Sequence, residues 1–131
     1  MTPIPDYIFA MAKRTREQDN RITRDPIFCV QEKIREYGFD LEYAEGTAWF
    51  DVQSGDYEET EPDADGAEEL GYRDRWETKT VCFTEEGCKK YIERNGHNHR
   101  GELRIYVESL YRNREMTLLR DWLLTLKEEV Q

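Results

Sequence analysis

PIFCVQEKIREYGF, residues 26–39, reads two ways. Ile27, Val30, Ile34 and Tyr37 recur at the three- and four-residue spacing of an amphipathic helix, whereas Phe28, Val30 and Ile34 fall on one face of a strand. The β-branched and aromatic content, closed by Gly38, tilts the stretch toward strand. GTAWFDV, residues 46–52, is then a second strand, and the short link DLEYAE predicts a hairpin between the two.

Working outward, RWETKTVCF (75–83) alternates like a strand, and ELRIYVES (102–109) places Leu103, Ile105 and Val107 on one face with Tyr106 on the other. Between them Thr84 is the expected N-cap of a helix with Glu85 and Glu86 in its first turn, Cys88, Tyr91 and Ile92 on its buried face and Gly96 at C′. Asn113 caps a last helix in which Met116, Leu119, Leu123, Leu126 and Val130 form an apolar stripe flanked by Leu118 and Trp122. Packing against the sheet is the expected use of that stripe, with Trp122 buried either inside the chain or in a homodimer through this helix. An opening helix is expected from about Pro5, capped by Asp6, with Ile4, Ile8 and Met11 at helical spacing. Its continuation KRTREQDNRITRD is charged and without apolar anchors, so residues 1–25 read as a helix with an exposed second half or an arm. The expected architecture is α+β: three or four mostly antiparallel strands, two or three helices on one face, and a long acidic loop over 53–71.

At 131 residues the chain is long enough for one core, and a single domain is expected over 1–131, with 75–131 as a strand–helix–strand–helix unit. The 12% aromatic content argues for a packed interior. No apolar run approaches the roughly 20 residues of a membrane span, and the N-terminus lacks a signal-peptide pattern. Cys29, Cys82 and Cys88 cannot all pair within one chain and are expected reduced and buried. The expectation is a soluble cytoplasmic protein.

The net charge of −10 is unevenly placed. Thirteen acidic residues lie between Glu36 and Tyr72 without one Lys or Arg, and the rest of the chain holds 16 acidic against 19 basic residues. DYEETEPDADGAEEL (56–70) alone carries eight carboxylates. One use of such a segment is to imitate the charge of nucleic acid before a basic channel; the plain alternative is a solvated loop. The partner-binding candidates are Asp51, Asp56, Glu58, Glu59, Glu61, Asp63, Asp65, Glu68 and Glu69.

Other chemistries are weaker. EPDADG resembles the start of a calcium loop, but its first position is Glu61 and its twelfth is Tyr72 where a bidentate Glu is required. Cys82 and Cys88, with His97 and His99, miss structural-zinc spacing, and three adjacent letters HNH are not the dispersed nuclease motif. Ser54 and Ser109 lack a nucleophile elbow. No cofactor, metal or catalytic residue is expected, and the protein reads as a non-enzyme. A second candidate surface is Arg94, His97, His99, Arg100, Arg104, Arg112 and Arg114 interleaved with Tyr91, Tyr106 and Tyr111, which suits phosphates and stacked bases. Net repulsion and the interspersed Glu93, Glu102, Glu108 and Glu115 disfavour direct nucleic-acid binding, and snorkelling arginines on a solvated face are the plainer reading.

Phe83-Thr84 with Gly87, the turn Asn95–Asn98 and the run Arg104–Asn113, together with VQEKIREYGFDLEY and AWFD, resemble a group of small phage and prophage proteins of uncharacterised function. The likeness spans roughly 27–124 and leaves residues 1–25 outside it. It implies a setting, the cytoplasm of a bacterial host, and a role against host defence or regulation. The reading that follows is a phage-type inhibitor, anti-CRISPR or anti-restriction in kind, whose partner is a host protein or ribonucleoprotein with a basic surface. The alternative is a small nucleic-acid-binding regulator using the arginine-rich region.

Overall fold

The computed structural model describes residues 3–51 and 58–127, and only the backbone of Asp51 and Glu58. The elements are α1 (Asp6–Glu17), β1 (Pro26–Phe39), β2 (Gly46–Asp51), β3 (Glu58–Glu59), β4 (Ala67–Cys82), α2 (Glu85–Asn95) with a 3₁₀ turn (Gly96–Asn98), β5 (Leu103–Ser109) and α3 (Arg114–Thr125). This is the expected α+β class. Residues 26–39 are strand throughout.

The strand order is β3-β2-β4-β1-β5. β5 runs antiparallel to β1, with Phe28 opposite Val107 and Val30 opposite Ile105. β2 runs antiparallel to β4, with Ala48 opposite Leu70 and Gly46 opposite Tyr72. The expected β1–β2 hairpin is therefore not formed, because β4 lies between those strands. Two compact units divide the chain, residues 1–32 with 78–131 and residues 33–77, and the long strands β1 and β4 contribute to both.

In the first unit, Phe28, Val30 and Cys88 make the buried centre, packed by Cys82, Tyr91, Ile92, Leu103, Ile105 and Val107. Burying side chains such as Phe28 and Val30 contributes about 1.5–3 kcal/mol each. Alternation on β5 turns Leu103, Ile105 and Val107 inward, so α2 must present Cys88, Tyr91 and Ile92 to them. The Thr84 hydroxyl caps α2 by accepting from the Gly87 N–H at 3.0 Å. Gly96 does not stop the helix in a left-handed C′ conformation: with φ −56° and ψ −35° it carries the chain into the 3₁₀ turn. At α1, Pro5 rather than Asp6 holds the cap position and makes no side-chain cap bond. The end of α1 is clipped to α2 by Gln18, whose amide donates to the Phe83 carbonyl at 3.0 Å and accepts from the Glu85 N–H at 2.9 Å.

The stripe on α3 is used differently from expectation, and its last expected member, Val130, lies outside the described residues. α3 packs chiefly against α1, where Ala12, Thr15, Arg120 and Leu123 are buried. Leu118, Leu119 and Trp122 stay 50%, 44% and 48% exposed, so Trp122 is not buried inside the chain.

The second unit is built from β2, β3 and the remaining halves of β1 and β4. Phe50 is buried, with the Tyr37 ring 5.0 Å away centre to centre. The acidic stretch is less loop than expected. Glu58–Glu59 pair with β2, the Ala64 N–H closes a turn on the Glu61 carbonyl at 3.1 Å, and Ala67–Gly71 already belong to β4. Residues 53–57 of the expected loop, and Val52 of the expected second strand, lie outside the described residues.

Candidate functional site

Residues 33–77 hold 15 acidic against 4 basic residues, a net −11, while the first unit holds 14 and 15, a net +1. β-strand geometry decides which carboxylates those four cations reach. Arg35 projects from β1 toward Asp74 of β4, donating from Nε at 2.9 Å and Nη2 at 3.2 Å. It also pairs with Glu59 and lies over the Tyr72 ring, 3.7 Å from its centre. Lys33 adds a second cation to Asp74 at 3.5 Å. Arg75 bridges Glu36 and Glu77. Arg73 caps the Tyr43 carbonyl at 2.8 and 2.6 Å and covers the Phe39 ring.

The Arg35 hydrogen bonds, helped by Lys33, hold Asp74 below the usual carboxylate range, and Asp74 in turn raises Arg35. A carboxyl depressed on folding contributes stability above its unfolded value, near 3.9, and loses it as pH falls through the folded one. Asp74→Asn is therefore expected to cost about 1–2 kcal/mol at neutral pH, a modest figure because Arg35 is one-third exposed. In urea unfolding the difference from wild type should shrink as the pH falls below the unfolded value. A difference unchanged with pH would rule out this origin.

With all four cations so committed, Glu61, Asp63, Asp65, Glu68 and Glu69 are exposed and in no ion pair among the described residues. They lie on the β3–β4 turn and the first residues of β4. Of the other sequence candidates, Glu59 is engaged by Arg35, and the side chains of Asp51, Asp56 and Glu58 lie outside the described residues.

The arginine-rich alternative is divided. Arg94, His97, Arg100, Arg112 and Arg114 are exposed. Arg104 donates to the Gln31 amide oxygen at 2.9 Å and lies over Tyr106. His99 is held inside the first unit: Nδ1 lies 2.7 Å from a Glu32 carboxylate oxygen, and Nε2 lies 2.9 Å from the Tyr91 hydroxyl. The other Glu32 oxygen accepts the Gly101 N–H at 3.3 Å. Because an ionised carboxylate only accepts, His99 Nδ1–H is the donor to Glu32. No spacing rule links Glu32 to a residue 67 positions on, and sequence reasoning missed the network.

Cys29, Cys82 and Cys88 are free thiols; Cys29 and Cys88 are buried as expected, whereas Cys82 is only partly buried. Burial, with Glu108 beside it, pushes Cys29 up to about 11, and burial, with Cys82 beside it, pushes Cys88 up to about 12. Both stay protonated at neutral pH and are poor nucleophiles and metal ligands. Among the described residues no group of three His, Cys, Asp or Glu is arranged to hold a metal, and no helix is long and apolar enough to cross a membrane.

The fold and the charge map define a small α+β protein with one strongly acidic unit and one nearly neutral unit. Comparisons with protein-family models, with curated proteins and with solved structures found no match for this chain.

Proposed function

We propose that the protein is a non-enzymatic binding protein whose acidic unit docks on the basic, nucleic-acid-binding surface of a partner protein or ribonucleoprotein. The setting is the one its sequence resemblance implies: a phage-type inhibitor of a host defence complex, anti-CRISPR or anti-restriction in kind, acting in the cytoplasm of a bacterium. One observation carries the reading. Glu61, Asp63, Asp65, Glu68 and Glu69 stand exposed and in no ion pair among the described residues, while every cation of their unit is committed elsewhere. A field left uncompensated in this way steers a cationic partner and accelerates encounter more than it adds contact energy.

The test is affinity capture from a bacterial lysate with native mass measurement of what is retained, repeated with those five residues changed to Lys. The reversed variant is expected to bind the captured partner at least tenfold more weakly at ~0.15 M salt. Wild-type association should slow as the Debye length shortens from about 10 Å at 0.1 M to about 3 Å at 1 M. Undiminished binding by the reversed variant would refute the proposal.

A further inference from the structure

The first unit carries a feature that the acidic reading leaves unused. Between α1 and β1 the chain takes left-handed backbone at three non-glycine residues, Arg21 (φ 55°), Ile22 (φ 60°) and Asp25 (φ 49°). Each costs about 1–2 kcal/mol, and the conformation is held by the Asp19 carboxylate on the Arg21 N–H and by the Arg21–Glu85 ion pair. At Ile22 the strain serves no burial, since that side chain is wholly exposed at the tip. What it does is set Arg24 beside the turn that follows β5. The Leu110 N–H donates to the Asp25 carbonyl at 2.8 Å, the Ser109 hydroxyl donates to the Arg24 carbonyl, and the Tyr111 N–H donates to the Ser109 hydroxyl at 3.2 Å.

On this platform an open groove of about 590 Å³ is lined by Arg24, Ser109, Tyr111 and Arg112. The Arg24 guanidinium lies 5.1 Å from the centre of the Tyr111 ring, which is 57% exposed. Arg112, and Arg114 just beyond it, are exposed and in no ion pair among the described residues. Arg24 pairs through Nε with Asp25 at 3.7 Å, a carboxylate it shares with the buried Arg120 at 3.6 Å. The unit carrying the groove is net +1.

We infer that this groove binds single-stranded nucleic acid, its arginines taking backbone phosphates and the Tyr111 ring taking an unpaired base. The ring decides among anions. An acidic peptide would use the guanidiniums and leave the aromatic face idle, and a duplex keeps its bases stacked out of reach of a ring. An unpaired base supplies a π-face to an exposed tyrosine with an arginine already stacked on it. The site differs from the arginine-rich stretch read from sequence: it adds Arg24, keeps Arg112, and leaves out His99 and Arg114. It does not depend on the acidic unit.

Two arginines contacting a single strand give a slope of log affinity against log salt of about −1.4, and affinity in the micromolar range typical of non-specific binding. The test is a fluorescence-anisotropy titration of the whole protein with a labelled thymidylate oligomer of about 12 nucleotides across a salt series. Tyr111→Ala is expected to weaken binding about tenfold, with Tyr111→Phe close to wild type. Arg112→Glu should weaken it about tenfold and flatten the salt slope by about 0.7 or more. Thymidine monophosphate should compete poorly, since it offers one phosphate. Absence of binding at low salt, or variants that bind like wild type, would overturn the inference. A duplex of equal length binding as tightly would remove the base-stacking role. Polyglutamate displacing the oligomer at equal charge would give the groove to an acidic protein instead.

Discussion

Glu32→Ala is expected to destabilise the protein by about 3–4 kcal/mol, measured by urea unfolding at neutral pH. Glu32 is 8% exposed, and its carboxylate is the acceptor for both the His99 ring and the Gly101 N–H. Truncation leaves two donors in a nearly dry site, with the Tyr91 hydroxyl still held by the ring. Glu32→Gln should cost less, because the amide oxygen still serves one donor while its NH₂ opposes the other. The pair Glu32→Met with His99→Phe should recover much of the loss, since removing both partners leaves no orphan. A cost below about 1 kcal/mol for Glu32→Ala would mean that the network is wet and of little consequence. Position explains why it matters. Glu32 is opposite Leu103 where β5 begins, and the residues it grips lead directly into that strand. A slip of one residue would turn Leu103, Ile105 and Val107 out of the core.

What could be read in the residues beforehand follows how local each cause is. Residues 26–39 declare themselves as strand because β-branched and aromatic side chains favour a pleated surface, even though Ile27, Val30, Ile34 and Tyr37 also satisfy helical spacing. The α2 cap is equally local, with Thr84 and Gly87 three residues apart. The partners of β2 are not local. A short link after β1 predicts a hairpin, yet β4 takes that place, and nothing within DLEYAE encodes a strand that begins only at Ala67. Composition assigns Ala67–Gly71 to a loop because Glu68 and Glu69 bury nothing. Backbone pairing with β2 makes them strand regardless, since ladder hydrogen bonds do not require buried side chains. The apolar stripe of α3 is legible as a stripe, but its partner α1 lies some hundred residues away in sequence. Charge behaves the same way. The acidic bias of 36–72 is visible by counting, whereas the removal of Glu59 from the exposed set depends on Arg35, across the sheet from it.

Gly71→Ala should destabilise residues 33–77 by about 2–3 kcal/mol, against the usual sign for this exchange. In a conformation open to any residue, Ala in place of Gly stabilises by about 0.4–1 kcal/mol through the unfolded chain. At Gly71 the backbone torsion is not the obstacle. A Cβ there would lie 2.5 Å from the Phe39 carbonyl oxygen and 2.8 Å from the Ala44 Cβ, and the first of these is backbone that cannot rotate away. Relief requires β4 to move off the end of β1, in the region where Arg73 covers the Phe39 ring and caps the Tyr43 carbonyl. Gly38 separates the two causes: its φ of +94° is strained for alanine, but nothing lies within 4 Å of the added carbon. Gly38→Ala should therefore cost only about 1 kcal/mol. Hydrogen exchange would locate the effect, with faster exchange expected at the Glu45 N–H that bonds the Tyr72 carbonyl and no change within β5. A neutral or stabilising Gly71→Ala would mean that β4 can shift freely there. Glu68 and Glu69 would then sit on a strand of loose register, too variable to present a fixed pattern of charge to a partner.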